Sequence, residues 1–132
     1  KDHQATATAF VEMVLDMMRQ WESDPQSWVK PAAAIFTNSG MNAEQLQKGW
    51  RAFHDGGYFS VNGGVNLAAT QKVMDLFFNL RGEKPNQTLA KPADIYDTTA
   101  LKAALDKMGV AKGTEGLPDT PDWYQGGSAH KG

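Results

Sequence analysis

The 132-residue sequence contains no cysteine. That excludes a disulfide framework, a thiolate nucleophile and a zinc–thiolate site. Long apolar runs are missing too. None approaches the ~20 residues needed to cross a bilayer as a helix, so the chain is expected not to span a membrane. Neither sign of charge dominates, with 13 Lys and Arg against 15 Asp and Glu and a formal net charge of −2. No basic run exceeds two residues. A phosphate backbone needs clustered Lys and Arg, so nucleic acid is not an expected partner. The first residue is Lys1 rather than Met, and no signal-peptide pattern follows it. The chain is therefore expected to be a processed product or a fragment.

Helical material is plentiful. Hydrophobic residues make up 41% and charged residues 21%, a balance that suits one globular core. From about Ala5 to Glu22, the residues Phe10, Val14, Met17, Met18 and Trp21 recur at helical spacing, and Val11 and Leu15 widen the stripe. Asp24-Pro25 reads as an N-cap followed by proline at the first helical position. Pro31 lies deep in the next helix and predicts a kink or a break near Lys30, with a short helix from Ala32 to Phe36 beyond it. Asn42 with Gln45 resembles a capping box, ahead of Leu46, Trp50 and Phe53. Asn62-Gly63-Gly64 marks a turn. The helix after it carries Val65, Ala69, Val73, Leu76, Phe77 and Leu80 on one face. A polar connector runs from Glu83 to Tyr96. Asp97 or Thr98 then caps a last helix with Leu101, Ala104, Leu105 and Met108 inward and Gly109 as its stop.

The expected fold is all-α as the chain stands, with about five helices. Residues 1–110 form a helical domain or segment. Residues 111–132 form an extended Gly- and Pro-rich tail, docked through Trp123 and Tyr124. Tyr58 to Val61 could form a short extended piece.

Catalytic chemistry finds little foothold. His3, His54 and His130 are scattered, and none has a metal-like partner one helical turn away. His54 and Asp55 are sequence neighbours, which point different ways on a helix. Glu12 and Asp16 could split acid and base roles if buried, but they flank the polar side of an amphipathic helix. Asn62-Gly63-Gly64 ahead of a helix could offer backbone N–H groups to an anion, but two glycines are a weak signal and a plain turn and helix start is the favoured reading. Met13, Met17 and Met18 suit core filling. No Ser-His-Asp set, Walker loop or dinucleotide fingerprint occurs. The expectation is a non-enzyme with no metal and no cofactor. The tryptophans are the informative residues, because Trp is costly to expose in such numbers. Trp21, Trp28, Trp50 and Trp123, with Tyr124, are candidates for an interface.

The order of elements resembles a known family. Ala9-Phe10-Val11 runs through Trp21 to Asp24-Pro25, and Asp97-Thr98, Leu101 and Gly109 close the series. Over roughly Ala5 to Gly109 this is similar to the C-terminal part of ABC-transporter solute-binding proteins of the nitrate, sulfonate (taurine) and thiamine-precursor class. Pro31 and the longer tail depart from the family's pattern. The resemblance implies a two-lobed α/β parent and capture of a small solute for import. It implies a periplasmic or extracytoplasmic location, with the remainder of the parent protein and an ABC permease as partners. It names no ligand-binding residue in this stretch. An alternative is a helical accessory subunit that packs on a larger extracytoplasmic protein.

Overall fold

The computed structural model describes residues 3–80, 90–114 and 120–123. Among them all regular structure is helical: α1 (Gln4–Ser23), α2 (Pro25–Ile35), the short 3₁₀ turn η1 (Thr37–Ser39), α3 (Ala43–Asp55), α4 (Leu67–Leu80), α5 (Pro92–Ile95) and α6 (Thr99–Met108). The all-α expectation holds, with one short helix more than the pattern predicted. That helix is α5, a single turn started by Pro92 inside the predicted connector. One turn is too short to show a hydrophobic period.

The core has two parts. In the first, α1 lies along α6, and Leu15, Leu101, Ala104 and Leu105 bury one another. Val11, Val65, Met108, Val110 and Trp123 close around them. Burying a leucine fully contributes about 1.5–3 kcal/mol, so Leu15 and Leu105, each 1% exposed, are principal anchors. An ion pair adds a second tie, with Lys107 Nζ 2.6 Å from Glu12 Oε2. In the second part, α2 and α3 pack through Val29, Ala32 and Leu46, flanked by Trp28 and Trp50.

Local chemistry sets the helix ends. Asp24 Oδ1 accepts from Gln26 N at 3.0 Å and Pro25 opens α2, as the sequence predicts. Asn42 and Gln45 form the full reciprocal capping box of α3. At α6 the cap falls to Asp97, which accepts from Thr99 N at 3.0 Å, while Thr98 makes no side-chain cap.

Of the kink or break expected near Lys30, the break does not occur. α2 runs unbroken through Pro31 to Ile35 instead of stopping near Lys30. Pro31 stands on the exposed side of the helix, where water can serve the carbonyl one turn back. Val29 and Ala32 on either side of it are buried against Leu46, and that packing carries the helix across the proline. The stretch from Tyr58 to Val61 forms no strand, yet Phe59 and Val61 are buried.

Candidate functional site: an apolar pocket and an uncovered helix face

The first feature follows from the spacing on α1. Phe10, Val14 and Met18 lie one turn apart, with Val11 and Leu15 beside them. Together with Ser60, Gly63 and Leu101 they line a pocket of about 240 Å³. The Gly63 backbone adopts φ +90°, and a Cβ there would stand 2.7 Å from Leu101 Cδ1. Glycine thus lets this loop close onto α6 at the pocket wall. Phe10 is 61% exposed. The predicted inward stripe is therefore shifted: Leu15 is its centre, and Phe10 and Met13 turn outward.

The second feature is α4. Its predicted apolar face exists, but no residue of α4 is buried. Val73, Leu76, Phe77 and Leu80 are 52%, 57%, 61% and 73% exposed, at the i, i+3, i+4, i+7 spacing of one helical stripe. The start of α4 is held firmly. Asn66 Oδ1 accepts from Ala69 N at 2.8 Å. The two Asp122 carboxylate oxygens accept from Leu67 N at 3.3 Å and Ala68 N at 2.8 Å. The chain's own carboxylate thus occupies the anion seat that Asn62-Gly63-Gly64 suggested.

A buried polar hub fixes the loop between these features. Asn62 is fully buried. Its Oδ1 accepts from Ala111 N at 2.8 Å and from Arg19 at 3.5 Å. Its Nδ2 donates to Thr114 Oγ1 at 2.7 Å and Thr120 Oγ1 at 3.4 Å. Arg19 also donates to Val61 O at 3.0 Å and Gly109 O at 2.7 Å. The guanidinium therefore sits at the C-terminal end of α6, where the helix dipole favours a cation. This hub ties α1 and the 61–63 loop to Gly109, Ala111, Thr114 and Thr120. Pattern reading missed it, because an Asn before two glycines looks like any turn and Arg19 like a surface charge.

Three of the four candidate tryptophans converge. Phe59 is the common neighbour of two of them, with its ring centroid 6.4 Å from Trp21 and 6.5 Å from Trp50. Trp28 lies 6.0 Å from Phe53, which in turn lies 6.2 Å from Phe59. Trp50 Nε1 donates to Trp21 O at 2.6 Å, joining α3 to α1. Trp123 packs instead on the α1–α6 core. All four are half-buried inside this chain's own contacts. Tyr124 lies outside the described residues.

His54 stacks on Trp50 with centroids 4.8 Å apart. Its Nδ1 lies 3.0 Å from Asp55 Oδ1 and its Nε2 3.5 Å from Glu22 Oε1. The neighbouring residues do meet, because both side chains sit at the end of α3 and are free to bend toward each other. The hydrogen bond to Asp55 holds the imidazole above its ordinary range, with the Glu22 charge adding and burial opposing. Glu12 is engaged with Lys107, and Asp16 accepts from Gln20, so the two carboxylates do not act as a pair. Among the described residues no three His, Asp or Glu side chains stand close enough to hold a metal ion. No described helix is long and apolar enough to cross a membrane. No protein-family model, curated protein or solved structure matches this chain.

Proposed function

We propose that this chain is the helical part, or a split relative, of an extracytoplasmic solute-binding protein that captures a small molecule for ABC import. Its own task is packing rather than catalysis. One observation carries this: α4 presents Val73, Leu76, Phe77 and Leu80 outward as a continuous apolar stripe. A helix face of that kind is built to be covered by a sheet or by other helices. The remainder of the parent protein is the partner that would cover it. The reading rests further on the sequence, whose strings from Ala9-Phe10-Val11 to Asp24-Pro25 and from Asp97-Thr98 to Gly109 resemble that family.

A second reading, a separate helical accessory subunit, is favoured by a different observation. The α1–α6 core closes between the two ends of the described chain, through Leu15, Leu105 and Trp123. A segment that closes its own core can fold before it meets a partner.

An affinity tag at the native locus tests both. The first reading expects a purified product much heavier than 14.4 kDa, strand-rich by circular dichroism, whose melting point rises with one small solute of a panel. The accessory-subunit reading expects a chain of this size held stoichiometrically by one larger protein. A free monomer of this size, with the α4 amides exchanging as in an isolated helix, overturns both.

A further inference from the structure

The pocket between α1 and α6 points to a binding site of its own, independent of the solute-binding reading. We propose that it takes a small, uncharged apolar molecule about the size of a substituted benzene ring. The volume suits this. An enclosed apolar cavity of roughly 150 Å³ is enough to take up benzene, and this hollow, which is open to solvent on one side, holds about 240 Å³. Its chemistry suits it equally. Phe10, Val11, Val14, Leu15, Met18 and Leu101 supply the walls, and no ionisable side chain lines them. A charged ligand would give up its water there with only the Ser60 hydroxyl among the lining side chains to answer it. The floor and the loop wall are held in place before any ligand arrives, while Phe10 stands exposed at the rim. Leu15 and Leu101 belong to the buried core. The Asn62 hub beside Gly63 locks the loop that forms the opposite wall. A largely preformed apolar hollow binds without a large ordering cost. Met18 contributes a flexible, polarizable side chain that can shape itself to a ring.

The test uses the full chain with ¹³C-labelled methionine methyl groups, titrated with toluene and, separately, with benzoate. Toluene should shift the Met18 methyl saturably, with half-saturation at or below roughly 1 mM, as expected of so small a ligand held by packing alone. Met41 and Met74 lie outside the pocket and should stay still. Benzoate should bind at least about tenfold more weakly, since its carboxylate must be desolvated. Val14→Phe should fill the hollow and weaken toluene binding by about tenfold or more, while Leu76→Lys on α4 leaves it unchanged. If Val14→Phe does not fold, a size series on the unaltered chain decides. Affinity should rise from benzene to toluene and fall for biphenyl, which outgrows the pocket. No Met18 shift up to the solubility of toluene overturns the proposal. So do equal shifts at Met41 and Met74, or equal affinity for benzoate. Sedimentation that finds a dimer which toluene cannot enter also overturns it, because a second copy would then fill the pocket.

Discussion

Replacing Asn62 should unfasten the chain more than any surface change can. The side chain is fully buried and connects three segments. Asn62→Ala removes two short hydrogen bonds, to Ala111 N at 2.8 Å and Thr114 Oγ1 at 2.7 Å. Each contributes about 1 kcal/mol net, and the Ala111 amide left without its partner in a dry site adds to the cost. The vacated space adds roughly another 1 kcal/mol, for a total near 3 kcal/mol. The longer contacts to Arg19 and Thr120, at 3.5 and 3.4 Å, add little. Urea unfolding followed by circular dichroism reads this directly. With a slope of about 1–1.5 kcal/mol/M for so small a protein, the midpoint should fall by about 2–3 M. Amide exchange at Ala111 should quicken in the same variant. Asn62→Asp is the discriminating control. Thr114 Oγ1 already donates to Ala111 O, and Thr120 Oγ1 to Thr114 O. Neither hydroxyl hydrogen is left for a carboxylate, so Asp should cost at least about 1 kcal/mol at neutral pH despite its matching shape. A midpoint within about 0.5 M of the parent for Asn62→Ala would refute the hub's role as the fastener of Ala111 and Thr114.

Other perturbations separate the remaining parts. Leu105→Ala should cost about 2–5 kcal/mol in the same assay, and a loss below about 1 kcal/mol would mean that α1 and α6 do not share the main core. Asp122→Ala should cost about 1 kcal/mol and speed amide exchange at Leu67 and Ala68 while leaving Leu46 protected. Uniform changes at all three amides would count against a local cap. His54 should act with pH in one direction. Its native imidazole is held above the ordinary value of 6.5, chiefly by Asp55 and further by Glu22, so the folded state favours the protonated form. The resulting stability is fully present below 6.5 and is lost as pH rises through the raised native value. His54→Gln should therefore lower the unfolding midpoint at about pH 5.5 and match the parent at about pH 9, and a difference that grows with pH would contradict this.

The helices were legible in the sequence wherever a cap and a period coincided. Asp24-Pro25 and Asn42 with Gln45 fixed the starts of α2 and α3, and Gly109 the end of α6. Burial was legible only where the partner lies within the chain. Leu101, Ala104 and Leu105 turn inward as the pattern predicts, while the equally regular stripe on α4 meets solvent. Periodicity states that a face is apolar and is silent on what lies opposite. Pro31 misled for a related reason, since the rule against mid-helix proline weighs the lost backbone bond and not the packing of Val29 and Ala32 beside it. The Asn62–Arg19 hub and the pocket were hidden because both join residues 42 or more apart in sequence. The tryptophan cluster was half visible. Its residues could be named, but their convergence on Phe59 depends on how α3 folds back on α1.

The contrast between the two ends of α4 bears on how a partner would be gained. Its first turn is capped from Asn66 and from Asp122, so the direction in which the helix leaves the core is set. Along its length no side chain is fully buried; the face through Thr70, Met74 and Phe78 is only half-buried, and a 14-residue helix so lightly packed is marginal in water. Val73, Leu76, Phe77 and Leu80 each keep half or more of their surface exposed. Covering that remainder contributes about 1 kcal/mol per side chain, or roughly 4 kcal/mol for the stripe. That is comparable to the loss expected at the Asn62 hub. The stabilisation would fall on α4 itself, the helix whose own contacts supply least. A partner would therefore be felt first as slowed amide exchange from Val73 to Leu80, while α1 and α6, already closed on each other, change little. Docking against the α1–α6 face would reverse that order. The sequence of protection thus distinguishes a partner that covers α4 from one that fills the pocket.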